Sequence, residues 1–239
     1  MNKKPSNLSM SYKEELINSI EPNFTFNNKP INRFNFKELK KPNKNSKKFD
    51  LINDLKKLIN SIQNCNLKDN SKNLILGDGN IDSQIMIVGE APGAEEEKAG
   101  KTFQGEVGSL LEKMLLAINI KKNNIYSSYA INFRPPDDRK PTSKEIKRYS
   151  TFLKEHISII DPKILVLFGS TAMQSVVSSN EKISNERGEW KEIILKNKTY
   201  PLMITFSPSY LIRFPENKKF SWEDLKKIKK KILDLKIKI

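Results

Sequence analysis

Four short, largely apolar runs punctuate an otherwise polar chain: Ile85-Met86-Ile87-Val88, Ile125 to Ile131, Ile164 to Phe168 and Leu202 to Phe206. Each has the length of a strand and is bounded by turn residues. Between them apolar positions recur at helical spacing, as in Leu110, Leu111, Met114, Leu115 and Ile118 after the first run. The stretch from Ile146 to Ile160, opened by a capping Thr142 or Ser143, does the same after the second. An earlier helix is predicted from about Asp50 to Ile62, where Leu51, Leu55, Leu58 and Ile59 share a face, and a last one from Ser221 to Leu235 with a lysine-rich outer side. Strands alternating with helices predict an α/β fold, a three-layer α/β/α sandwich around a central four-stranded parallel sheet. Ligands of such sheets bind at the carboxyl ends of the strands, so the loops after Val88, Ile131, Phe168 and Phe206 are where chemistry is expected.

Residues 1–48 lack any sustained period and mix Asn, Lys, Pro and Ser with scattered Phe. They read as a largely disordered arm with a short helix around Tyr12 to Ile20, leaving residues 49–239 as one domain. Charge sharpens this division. The chain carries a formal net charge of +15, of which residues 1–48 hold +7 and residues 218–239 hold +6. Basic ends of this kind suit a polyanionic partner, and equally suit solvated lysine faces in a chain rich in Lys, Asn and Ile throughout. A single cysteine, Cys65, excludes an internal disulfide. No apolar run approaches the roughly 20 residues of a membrane helix, and the polar start lacks the core of a signal peptide, so a soluble cytoplasmic protein is expected.

The richest local chemistry follows the first strand, in Gly89-Glu90-Ala91-Pro92-Gly93-Ala94-Glu95-Glu96-Glu97 and then Gly100-Lys101-Thr102-Phe103-Gln104-Gly105. Glycines after a strand let backbone approach a ligand closely, and carboxylates there can hold or activate water. The same acidic residues also serve as ordinary complements to a helix N-terminus. The loop lacks both the Gly-x-Gly-x-x-Gly and the Gly-Lys-Ser/Thr spacings, which disfavours a nucleotide-phosphate site.

This segment resembles the first signature of family 4 uracil-DNA glycosylases, Gly-Glu-Ala/Gly-Pro-Gly, acidic residues, then Gly-Arg-Pro-Phe-Val-Gly. The similarity continues through Arg134-Pro135-Pro136, Pro162 to Val166, Arg187-Gly188-Glu189-Trp190, Ser207-Pro208-Ser209-Tyr210-Leu211-Ile212-Arg213 and Trp222 to Lys226, covering roughly residues 50–235. The resemblance implies a monomeric enzyme of base excision repair that flips deoxyuridine out of DNA and hydrolyses its N-glycosidic bond. It makes Glu90 the residue that orients water, with Glu96 in support, and Ser207 the group beside the base oxygen. Phe103 becomes the stacking platform for the base, with Ala91 and Tyr129 lining its pocket. The loop after the fourth strand becomes the DNA contact, with Pro208, Ser209 and Arg213 at the backbone and Leu211 as an apolar wedge.

Three departures from the family pattern stand out. The family holds a four-iron cluster through four cysteines, and the corresponding places are Ile62, Cys65, Phe133 and Tyr149, so no cluster is expected. Three bulky apolar or aromatic groups can fill the same volume, and the four residues are predicted to converge in one patch. Tyr129 stands where the family has an Asn that reads the uracil edge; Asn132, three places on, points to the other face of the strand. Ser207 replaces a histidine donor. These last two changes leave open a second reading, a catalytically weak or inactive damage-recognition module on the same fold. In that case Tyr129 should fill the pocket. His156, the one histidine, lies in a helix away from every signature and reads as structural.

Overall fold

Runs with no polar position must be covered on both sides, and the computed structural model, which describes residues 44–237, places them at the centre of one sheet. Helices α1 (Lys44–Asn60) and α2 (Asn66–Asp69) precede strands β1 (Gly77–Gly79) and β2 (Ile85–Gly89). Then come α3 (Ala94–Ala99), α4 (Gly105–Leu116), β3 (Tyr126–Tyr129), α5 (Ser143–Ile160) and β4 (Ile164–Phe168). The chain finishes with α6 (Ser170–Val177), α7 (Ile183–Glu186), β5 (Trp190–Leu195), β6 (Lys198–Thr205), α8 (Pro208–Arg213) and α9 (Lys218–Asp234). The predicted arm, with its helix from Tyr12 to Ile20, lies outside the described residues except at its end, where α1 already begins at Lys44.

The sheet has six strands in the order β1-β3-β2-β4-β6-β5. Its inner four are parallel, as the apolar runs predict, and every residue of β2, β3 and β4 is buried. The two outer strands are additional and antiparallel. β1 is only Gly77-Asp78-Gly79 and has no apolar signal to read. β5 alternates between half-buried and exposed over most of its length, and a two-residue turn at Lys196 and Asn197, both at positive φ (47° and 64°), joins it to β6. A hairpin turn of that kind is usually announced by Asn-Gly or Asp-Gly, and Lys-Asn hides it. The partner β6 accordingly starts at Lys198, before the expected Leu202.

Alternate residues of each inner strand feed two cores. One face packs Ile87, Val166 and Met203 against α4, α8 and α9; the other packs Val88, Leu165 and Ile204 against α5 and α6. A third cluster lies outside the sheet, where Leu55 and Ile59 of α1 meet Cys65, Ile131, Phe133, Ile146 and Tyr149, with Ile62 packed against them. Helix α5 is started by Thr142, whose hydroxyl accepts from the Glu145 amide (3.3 Å) while the Glu145 carboxylate accepts from the Thr142 amide (2.7 Å). Among the described residues no helix is long and apolar enough to cross a membrane.

His156 of α5 is a buried member of this frame, 1% exposed. The Ser128 hydroxyl donates to the Leu76 carbonyl at 2.7 Å, so toward the imidazole it accepts, from Nδ1–H at 3.3 Å. Nε2 then accepts from the Tyr126 hydroxyl at 2.9 Å. Burial, which penalises the cation, pushes the histidine down to about 3 from its ordinary 6.5. The unfolded chain therefore takes up this proton below pH 6.5 while the native state does not, so stability falls as pH drops from 6.5 toward 3. Urea midpoints measured between pH 7 and 5 should show a loss approaching about 1.4 kcal/mol per pH unit from this group. His156→Leu should lower stability overall and flatten that slope; an unchanged slope would refute the assignment.

Candidate active site

Parallel pairing sets Gly89 at the end of β2 beside Tyr129 at the end of β3. A Cβ at Gly89 would lie 2.7 Å from the Tyr129 ring and 2.8 Å from that of Phe103, so only glycine lets these rings close over the strand end. The next residue, Glu90, reaches sideways to the start of α6. Its Oε1 accepts from the Thr171 amide (3.1 Å) and the Ser170 hydroxyl (3.2 Å). Gly169, at φ +99°, makes the space: a side chain there would strike the carboxyl carbon at 2.3 Å. These two donors at the start of the helix fix the orientation of the carboxylate. Its Oε2 makes no hydrogen bond within the described residues, and Glu90 lines a cleft of about 310 Å³.

Glu96 has a different office. Oε2 accepts from the Gly93 amide and Oε1 from the Gln104 amide, both at 3.0 Å, so the carboxylate ties the two ends of the acidic loop together. Phe103 sits between them at φ +49°, a left-handed conformation that is costly for a bulky residue. Its amide donates to the Tyr129 hydroxyl at 2.9 Å. Burial first, and the nearby Glu96 carboxylate second, push the Tyr129 phenol well above its ordinary value, so it remains protonated. Tyr129 is 3% exposed and its ring lies 5.0 Å from that of Phe103. Its hydroxyl therefore supports the Phe103 loop and is not directed at a base edge, while its ring forms part of the cleft wall. The cleft remains open beside it. Asn132 stays out of the cleft and donates to the Ile75 carbonyl (3.1 Å).

The opposite wall comes from the end of β6. Ser207 caps α8, its hydroxyl accepting from the Tyr210 amide (3.3 Å) and lying 3.1 Å from the Ser209 hydroxyl. Its proton is free to turn toward Ser209 or into the cleft. Glu90, Ala91, Glu96, Phe103, Tyr129, Ser207, Pro208, Ser209 and Arg213 all line this one cleft. Leu211 does not. At 1% exposure it is packed in the core under α8 and is not available as a wedge, so the role that the resemblance implies for it is corrected. In so short a helix the residue four after Ser207 turns inward, and the following Ile212 is the half-exposed apolar one. Residues not singled out from sequence are Thr171, which holds Glu90, and Arg139 with Lys140 on the rim. The loop after Phe168 is one of those that the strand order points to, and nothing in its sequence marks Ser170 and Thr171 as a carboxylate seat.

The third apolar cluster bears on cofactors. Cys65 Sγ lies 3.3 Å from the Tyr149 hydroxyl, and the Phe133 and Tyr149 rings meet edge-on at 6.3 Å. Ile62, Cys65, Phe133 and Tyr149 thus share one cluster, as expected. As a donor set they offer one thiol and one phenol that burial holds in its protonated form, with no ligand from Ile62 or Phe133. This does not fit an iron–sulfur cluster. Among the described residues no group of His, Cys, Asp and Glu could hold a metal ion.

A family model described as Uracil DNA glycosylase superfamily matches residues 76–228. The chain is 36% identical to a Type-4 uracil-DNA glycosylase of Thermotoga maritima over 168 residues, 69% of this chain and 86% of that protein. It is 32% identical to one of Sulfurisphaera tokodaii (75% and 84% covered) and 29% identical to one of Archaeoglobus fulgidus (74% and 91% covered).

The role given to the Tyr129 hydroxyl is testable by itself. Tyr129→Phe leaves the buried Phe103 amide without an acceptor, so thermal or urea unfolding should show a loss of about 1–3 kcal/mol. A variant as stable as the parent would mean that the hydroxyl is not the support described.

Proposed function

Because this chain belongs to the uracil-DNA glycosylase superfamily, we propose that the cleft receives a uracil nucleotide flipped out of DNA and that the protein hydrolyses its N-glycosidic bond, releasing the base for excision repair. The observation that carries the reading is the Glu90 carboxylate, seated by one oxygen on the N-terminus of α6 while the other is left toward the cleft. As the bond to uracil lengthens, the sugar gains positive charge and the base negative charge. Glu90 Oε2 holds the attacking water at the anomeric carbon and stabilises the cationic sugar. Phe103, set in its strained turn by Glu96 and Tyr129, presents its ring to the face of the base.

Negative charge on the leaving uracil calls for donors. The Ser207 hydroxyl supplies one, more weakly than an imidazole would, and cleft-facing backbone amides supply the rest. With the Tyr129 hydroxyl engaged below Phe103, discrimination falls to the shape of the cleft and to those donors. Arg213, with Lys140 on the other rim, meets phosphates on either side of the flipped nucleotide. Ser209 and the turn at Pro208 hold the backbone between, and Ile212 is the apolar side chain available at the vacancy. The enzyme acts as a monomer in the cytoplasm, a reading that the single free Cys65 suits.

It works without the family's cluster. Burying Phe133 and Tyr149, each contributing on the order of 2 kcal/mol, with Ile62 half-buried against them, holds α1, the loop after β3 and α5 together. The local frame is thereby kept by packing that needs no iron.

Two experiments test these statements. End-labelled oligonucleotides with one deoxyuridine, followed by alkaline cleavage of abasic sites, should give a shortened product. Glu90→Gln should slow its formation about 100- to 10,000-fold. Absence of product from the parent protein would sink the glycosylase reading. Separately, elemental analysis of protein purified anaerobically should find no stoichiometric iron, and Phe133→Ala should cost about 3–5 kcal/mol of stability. Four irons per chain would overturn the apolar replacement.

A further inference from the structure

On the far side of α8 lies a second cleft of about 330 Å³, lined by Tyr210 and Phe220 and, at its buried floor, by Phe206. The short helix divides the two. Ser207, Ser209 and Arg213 face the active cleft, while Phe206 and Tyr210 face the second one. Phe206 and Tyr210 stack at 4.9 Å and 28°, and Phe214 continues the series 4.9 Å beyond Tyr210. Across from them stands Phe220, 41% exposed on the first turn of α9.

Between these rings sits the guanidinium of Arg187, 5.4 Å from the centres of both Phe206 and Phe220. It is held in place by Asp224, 1% exposed, through Nε at 3.0 Å, and by the Phe220 carbonyl at 2.6 Å. Asp224 in turn accepts from the Thr205 hydroxyl at the end of β6 (2.6 Å). The guanidinium is thus a fixed planar group. Lys182 lines the cleft and makes no ion pair among the described residues, and the Lys219 ammonium lies 5.0 Å from the centre of the Phe220 ring.

The exposed Phe220 ring and the half-buried Tyr210 ring, with a pinned guanidinium between them and the buried Phe206, and with Lys182 on the lining, match the requirements of a planar aromatic ligand on an anionic backbone. We propose that this cleft holds a second, unpaired nucleobase of the same DNA strand, near the uracil, so that the strand crosses α8 with one base in each cleft. The proposal rests on the glycosylase reading for the identity of the strand. It makes single-stranded or locally melted DNA the favoured substrate, because a paired neighbour cannot leave its stack without cost.

The test reads binding and leaves catalysis aside. Fluorescence anisotropy with a labelled, uracil-free single-stranded oligonucleotide and with its duplex gives a ratio of affinities. In Phe220→Ala that ratio should fall about 5- to 150-fold in the direction of the duplex, the range expected for one lost stacking contact. Phe220→Trp should restore it, and melting temperatures of both variants exclude unfolding as the cause. An unchanged ratio in Phe220→Ala, or equal losses for single and double strands, would overturn the proposal. The uracil-excision assay stands apart: a parent protein that binds single strands through Phe220 yet releases no uracil would refute the glycosylase reading and leave the cleft assignment intact.

Discussion

Everything at the working end of this molecule follows from burying four parallel strands on both faces. Strands that run the same way must each return through a helix, so their carboxyl ends gather along one edge. Glu90 after β2, Tyr129 closing β3, Thr171 after β4 and Ser207 after β6 come from separate stretches of sequence and meet there. The cores that force this arrangement are conventional, Ile87 and Val166 on one face and Val88 and Leu165 on the other. What they position is a carboxylate on a helix N-terminus.

That seat has steric conditions on both sides. Gly169 must lack a Cβ for the Glu90 carboxyl to lie against α6, and Gly89 must lack one for Tyr129 and Phe103 to approach the strand end. Tyr129 carries a structural duty at the floor of the cleft. Its hydroxyl receives the Phe103 amide, and Glu96 binds the amides on either side of the acidic loop. The strained turn at Phe103 is held by these contacts acting together, which is how a costly backbone conformation persists.

Away from the cleft, the cluster around Phe133 and Tyr149 holds α1, the loop after β3 and α5 together by packing. Within it Cys65 meets the Tyr149 hydroxyl. The clefts on the two sides of α8 share the end of β6. Asp224, which pins Arg187, also receives a hydrogen bond from Thr205, two residues before Ser207.

Sequence alone determined the four parallel strands, the principal helices and the acidic loop with Glu90, Glu96 and Phe103, because periodicity and glycine-bounded turns are local properties. It also placed Ile62, Cys65, Phe133 and Tyr149 together, through a resemblance whose spacing carries that information. It did not show the edge strands: β1 has no apolar residue, and the turn at Lys196 and Asn197 lacks the usual glycine. Only the tertiary structure decided that Leu211 is buried, that Thr171 seats Glu90, that the Tyr129 hydroxyl is engaged below Phe103, and that Arg187 stands between Phe206 and Phe220. Each of these depends on what a distant segment places opposite the residue. A side chain's partners across a fold are set by how layers pack and which way a short helix turns, and neither is written in the spacing of its own neighbours.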